Sequence, residues 1–167
     1  GLATETLARG DVNLASAPIQ VGLVAAQLVH GSEAVQERYL PGLIAGEHNL
    51  AIALTEPGSG SDAAALRTTA TRVPGGWRLN GEKTAISWAT TAVAAVVYAR
   101  EPGTTRSGGV SCLVVPLDAE GVTRRHMLGM GCLPLGWGSL HFDDVFVPDE
   151  NLVGDEGRGF EVALHHF

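Results

Sequence analysis

The chain has 167 residues, 45% hydrophobic and 17% charged, which suits one domain of ordinary size or one domain plus part of another. The net charge is −7, Lys83 is the only lysine and the arginines are scattered, so no basic stripe exists for a nucleic-acid backbone. No run approaches the ~18 apolar residues that a membrane helix needs; the longest, over 19–29, is short and carries Gln20 and Gln27. Helices come first. Residues 4–9 form a short amphipathic piece. Pro18 is predicted to open the second helix, where its missing N–H costs nothing. Apolar residues from Ile19 to Val29 surround that axis and predict burial on most sides, with Gly31 ending it. Ser32 is the predicted N-cap of a helix over 33–40, with Glu33 and Glu37 favouring its positive start. Pro41 is predicted to break that helix and to leave one last turn ending at Gly46.

The pattern then turns to strands. Residues 50–55 read as a short buried strand, followed by a glycine-serine corner. Residues 72–79 read as a hairpin around Pro74-Gly75, and Asn80-Gly81 as a second tight turn. Further strands are predicted over 82–87, 92–100 and 110–116. Leu140, Phe142, Val145 and Val147 fit one or two late strands closed by Pro148. Together these predict an α+β fold, with N-terminal helices followed by an antiparallel β-barrel or sandwich domain. Phe160, Ala163, Leu164 and Phe167 fall on one face of a new C-terminal helix. The chain stops as that stripe begins, which suggests a fragment whose remainder starts with this helix.

Several motifs fail on their spacing. "GWRLNGEKT" (76–84) nearly spells a phosphate loop, but Glu82 interrupts it and a strand follows. "GVSCL" (109–113) lacks the second glycine of a nucleophile elbow. His165 and His166 are adjacent on a helix and face apart. Asp143-Asp144 read as a solvated corner rather than a calcium site. Cys112 and Cys132 form no zinc pattern and read as two buried thiols of a reducing compartment. No signal peptide is visible.

Four ordered stretches resemble the acyl-CoA dehydrogenase family of flavoproteins. They are "ERYLPGLIAGE" (37–47), "ALTEPGSGSD" (53–62), "LNGEKTAIS" (79–87) and "FDDVFVPDENLVGDEGRGF" (142–160). The resemblance implies three parts: residues 1–49 as the end of a helical N-terminal domain, 50–157 as a middle β-domain, and 158–167 as the first turns of a helical bundle. It implies FAD as cofactor, an acyl-CoA or acyl carrier protein thioester as substrate, and α,β-dehydrogenation as the reaction. It further implies an electron-transfer flavoprotein or oxygen as acceptor, a homodimer or homotetramer for the full-length protein, and a cytoplasmic, bacterial setting. Ile52, Ala53, Leu54, Thr55, Gly60 and Ser61 would form the corner against the flavin, with Ser61 also facing the substrate. Ala85, Ile86 and Ser87 would form the second contact, Ser87 presenting its hydroxyl towards the reactive edge of the ring.

The sequence departs from the family pattern at Ala85, where a large aromatic is common. Trp88 either supplies stacking area instead or faces a protein interface. Residues 132–139 also differ, which points to an unusual acyl group. The resemblance places the catalytic carboxylate beyond Phe167, so no residue here is named as base, and Glu56 and Asp62 do not match it. Two alternatives stay open: a flavin monooxygenase or oxidase of the same fold, and a non-catalytic family member.

Overall fold

The structure, a computed structural model, describes residues 1–106, 108–131 and 133–164. The readings made for Cys132, His165, His166 and Phe167 lie outside these residues. Among them, no helix is long and apolar enough to cross a membrane.

Three helices open the chain: α1 (Leu2–Gly10), α2 (Val12–Leu28) and α3 (Glu33–Ala45). The expected start of α2 at Pro18 is wrong. Asp11 caps the helix by accepting the Asn13 N–H at 2.7 Å, which starts it well before the proline. Pro41 likewise lies inside α3 rather than ending it. Both prolines sit on exposed sides of their helices, where a carbonyl freed by the missing N–H has access to water. Ser32 caps α3 as expected, accepting the Val35 N–H, and Gly46 ends it in the left-handed conformation. Burial of α2 is one-sided: Val24, Gln27 and Leu28 are buried, whereas Ile19 and Val29 are about half exposed.

Eight strands follow: β1 (Leu50–Ala53), β2 (Thr69–Val73), β3 (Gly76–Ile86), β4 (Ala94–Arg100), β5 (Val110–Pro116), β6 (Val122–His126), β7 (Gly138–Pro148) and β8 (Leu152–Val153). They form one sheet in the order β6-β7-β3-β2-β4-β5-β8, with β1 beside β4. The sheet is open, with free ends at β6 and β8, so the closed barrel is not formed. It is not wholly antiparallel either: β1 and β2 both run parallel to β4.

Asn80-Gly81 does not turn the chain. β3 passes straight through, and its register against β7 shifts there: two steps from Leu79 to Gly81 face three from Val145 to Phe142, so the bulge's extra residue lies on β7. Gly81 takes φ 144° there, with Thr68 so close that a Cβ would lie 2.7 Å from its Cα. A hairpin turn would have needed β3 to fold back on itself, but its cross-strand partners lie on β2 and β7. The late apolar residues form the single strand β7.

β4 and β5 are apolar at almost every position because both their faces are covered. On one face Ala94, Val96, Tyr98, Cys112 and Val114 pack on Val24, Leu28, Val35, Tyr39 and Leu43 of α2 and α3. On the other, Ala95, Val97, Leu113 and Val115 join Trp77, Leu79, Leu140, Phe142, Val145 and Val147 of β3 and β7, where the curled sheet packs on itself. Cys112 is buried, as expected. The last helix, α4 (Gly159–Leu164), buries Gly159, Val162 and Ala163. Of the expected stripe, Ala163 is buried, Phe160 packs partly on the core and Leu164 is 75% exposed.

Candidate functional site

β1 and β2 lie end to end along the same side of β4. Ala53 pairs with Val97, and Thr69 pairs with Arg100, only three residues further along β4. Residues 54–68 therefore leave the sheet between two segments that share one track. Glu56 and Ser59 exchange backbone hydrogen bonds of 2.9 and 3.1 Å, which makes the first turn of this excursion. The Ser59 hydroxyl donates to Asp62 O at 2.7 Å. The return is tied to β4 by Arg100, whose guanidinium donates to the carbonyls of Ala64 and Leu66 at 2.8 and 3.2 Å.

A buried ion pair fixes the base of the excursion. Lys83 is fully buried, and its Nζ donates to Glu56 Oε1 at 2.8 Å and to Leu54 O at 3.0 Å. The Glu56 carboxylate also accepts the backbone N–H groups of Arg67 at 2.6 Å and Thr68 at 2.9 Å. Burial pushes the Glu56 carboxyl up, but the Lys83 charge and the hydrogen bonds from Lys83, Thr68 and Arg67 outweigh it and hold the group below its usual range. Burial pulls Lys83 down to about 8, against the opposing pull of Glu56. Both groups are therefore charged at neutral pH. β3 adds a second tie, as Thr84 N–H donates to Thr55 O at 2.9 Å.

Just beyond that tie β3 is irregular. Its register against β7 shifts between Lys83 and Ile86, and Ala85 sits at φ 56°. Trp88 is also left-handed, at φ 64°. Two non-glycine residues in this region bracket Ile86-Ser87: Ile86 still pairs with Gly138, and the chain leaves the ladder at Ser87. The left-handed conformation costs an L-residue about 1–2 kcal/mol, and glycine gives back about 0.5–1 kcal/mol of that through its larger unfolded freedom. Ala85→Gly is therefore expected to raise stability by up to about 1 kcal/mol, seen as a higher urea midpoint.

The two stretches meet in a cleft of about 200 Å³ lined by Ile52, Leu54, Thr55, Ala85, Ile86 and Ser87, completed by Gln20 and Leu23 of α2. Six of the nine residues expected at the cofactor thus line one cleft. Ala53 is fully buried in the sheet core, and its side chain faces away from it. Gly60 and Ser61 are exposed on the excursion and do not line the cleft. Trp88 is buried in the core and supplies no stacking surface there. Thr55 is half-buried, and its N–H donates to no acceptor among the described residues. A half-buried amide left open at a cleft is a ready donor for a ligand. The cleft suits one face of a planar ring: it is apolar at the half-buried Ile52 and Leu54 and carries hydroxyl residues at Thr55 and Ser87, while Ile86 borders it with its side chain in the sheet core. A larger hollow of about 460 Å³ lies between Arg78, Glu120, Asp143, Asp144 and Phe146, away from these residues.

Sequence reasoning missed Gln20, whose Nε2 donates to Leu50 O at 3.3 Å, and Leu23. A polar residue inside the apolar run of α2 was the available signal. It also missed the Lys83–Glu56 pair, although a lone lysine in a strand position that alternates inward was visible.

The sequence and the fold together place the chain: it belongs to the acyl-CoA dehydrogenase family. The middle domain of that family matches residues 51–145 and its N-terminal domain residues 1–47. The chain is 36% identical to isovaleryl-CoA dehydrogenase of Solanum tuberosum, over 98% of this chain and 40% of that protein. It is 39% identical to the caffeyl-CoA reductase-Etf complex subunit CarC of Acetobacterium woodii, over 82% and 36% respectively. A crystal structure of a glutaryl-CoA dehydrogenase from Mycobacterium smegmatis with FADH2 superposes with a TM-score of 0.82 at 30% identity, covering 95% of this chain and 41% of that one. The chain thus spans about two fifths of the length of these relatives.

Proposed function

We propose that this chain supplies the flavin-ring surface of an FAD-dependent enzyme that introduces an α,β double bond into an acyl thioester. The observation that carries the reading is the meeting of Thr55 and Ser87, from segments some thirty residues apart, at one cleft with an open Thr55 N–H. When bound, the flavin supplies the two-electron acceptor. Thr55 N–H and hydroxyl would hold the electron-rich edge of the ring, where fixed donors favour the reduced form. Leu54 and Ile52 would cover its face and exclude water, Ile86 would back the cleft from the core, and Ser87 would orient its opposite edge. Ser61, exposed on the excursion, would meet the thioester. The carrier is coenzyme A or an acyl carrier protein, and the acceptor an electron-transfer flavoprotein or oxygen. The catalytic base belongs to no residue assigned here. In the full-length protein, residues 50–157 would act as the middle domain of a homo-oligomer.

Titration with FAD tests the reading. Binding should shift the flavin absorption band, and Thr55→Ala should weaken it about fivefold, the loss of a hydrogen bond worth about 1 kcal/mol. An unchanged flavin spectrum at saturating protein would count against the assignment.

A further inference from the structure

The buried pair connects to the cleft through one peptide group. Lys83 Nζ bonds Leu54 O at 3.0 Å, and that carbonyl shares its peptide with the N–H of the cleft-lining Thr55, which donates to no acceptor among the described residues. A carbonyl that accepts from a cation polarises its peptide, and the N–H on the other side becomes the stronger donor. The geometry points to Lys83 as a positioning residue: acting through the Leu54–Thr55 peptide, its charge strengthens the Thr55 N–H as a donor to an electron-rich ring edge, and Glu56 holds that charge in place. The identity of the ring rests on the flavin reading; the strengthened donor does not.

A staple for the excursion would not need a charge at this position. A neutral amide could reach the same carbonyl without the cost of burying an ammonium. The charged group facing Nζ is Glu56, from the excursion. Across on β7 stands Leu140, which is buried, while Glu82 and His141 are exposed on the other side of the ladder. Burial brings Lys83 down to about 8, so its charge can be removed in mildly alkaline solution.

The test is carbon-detected NMR of the labelled chain, correlating the Leu54 carbonyl with the Thr55 nitrogen from pH 6.5 to 9.5. Both resonances should move together with a midpoint near that of Lys83. The movement should vanish in Lys83→Gln, and in Glu56→Gln the midpoint should fall, because the ammonium loses its anion. Resonances that stay still in the wild type, or move equally in Lys83→Gln, would overturn the inference. If Lys83→Gln does not fold, the Glu56→Gln midpoint decides alone: no fall overturns it. Adding FAD at pH 7 separates the two readings. If FAD leaves Thr55 and Ser87 unmoved, the flavin assignment fails, and the pH series still judges Lys83.

Discussion

Glu56→Ala is expected to lower the free energy of unfolding by about 3–5 kcal/mol, the cost of breaking a buried pair from one side. Three donors lose the carboxylate at once: the N–H groups of Arg67 and Thr68, and Lys83 Nζ, which keeps only the neutral Leu54 carbonyl. Lys83 is fully buried and Thr68 nearly so, which leaves them without ready access to water. Urea unfolding at pH 7 measures the loss. The pH profile gives a second signature. The Glu56 carboxyl is held below its usual range in the folded state, so on acidification the unfolded chain takes up this proton first. The stabilisation is whole above the unfolded glutamate range and disappears as pH falls through the folded value. The wild type should therefore lose stability on that limb, and the alanine variant should show a flatter one. A variant as acid-sensitive as the wild type would mean that other carboxylates dominate.

Gly81→Val should cost about 2–5 kcal/mol, combining the left-handed penalty of about 1–2 kcal/mol with overpacking of about 1–3 kcal/mol. The backbone there has φ 144°, and a Cβ would lie 2.7 Å from both Cα and Oγ1 of Thr68. Thr68 cannot retreat freely, because its N–H is bonded to Glu56 and its carbonyl accepts the Arg100 N–H at 2.8 Å. The clash is therefore passed to the excursion. Calorimetry should show the lower melting temperature, and the flavin titration should show weaker binding as well. Reduced stability with unaltered flavin binding would show that the bulge and the cleft are independent.

Contiguous patterns were legible in the sequence. β5 was readable to its end residues, since Val110 to Pro116 is an apolar run interrupted only by Ser111 and bounded by turns. The two stretches that meet at the cleft were readable because each carries its chemistry within ten residues. What depended on tertiary context was not. Pro18 and Pro41 looked like helix boundaries, because local rules cannot say that a proline will face solvent inside a helix. Asn80-Gly81 looked like a turn, because the dipeptide also suits a bulge and only the partner strands decide between them. β6 has four exposed residues out of five, Thr-Arg-Arg-His, and so shows no alternation to read. The Lys83–Glu56 contact spans 27 positions, and although Lys83 keeps the inward phase of Trp77 and Leu79, nothing local names the partner that the excursion brings to it.

Because β1 and β2 occupy a single track beside β4, the segment between them is an insertion in what is otherwise one continuous edge. Its stem is pinned by Lys83 and Arg100, so changes at its tip, near 57–62, need not propagate into the ladder. Lengthening such a loop is cheap, about 0.6 kcal/mol per doubling. The architecture thus uncouples the length and composition of the tip from the pairing of the strands, so the tip can vary without renegotiating the framework beneath it.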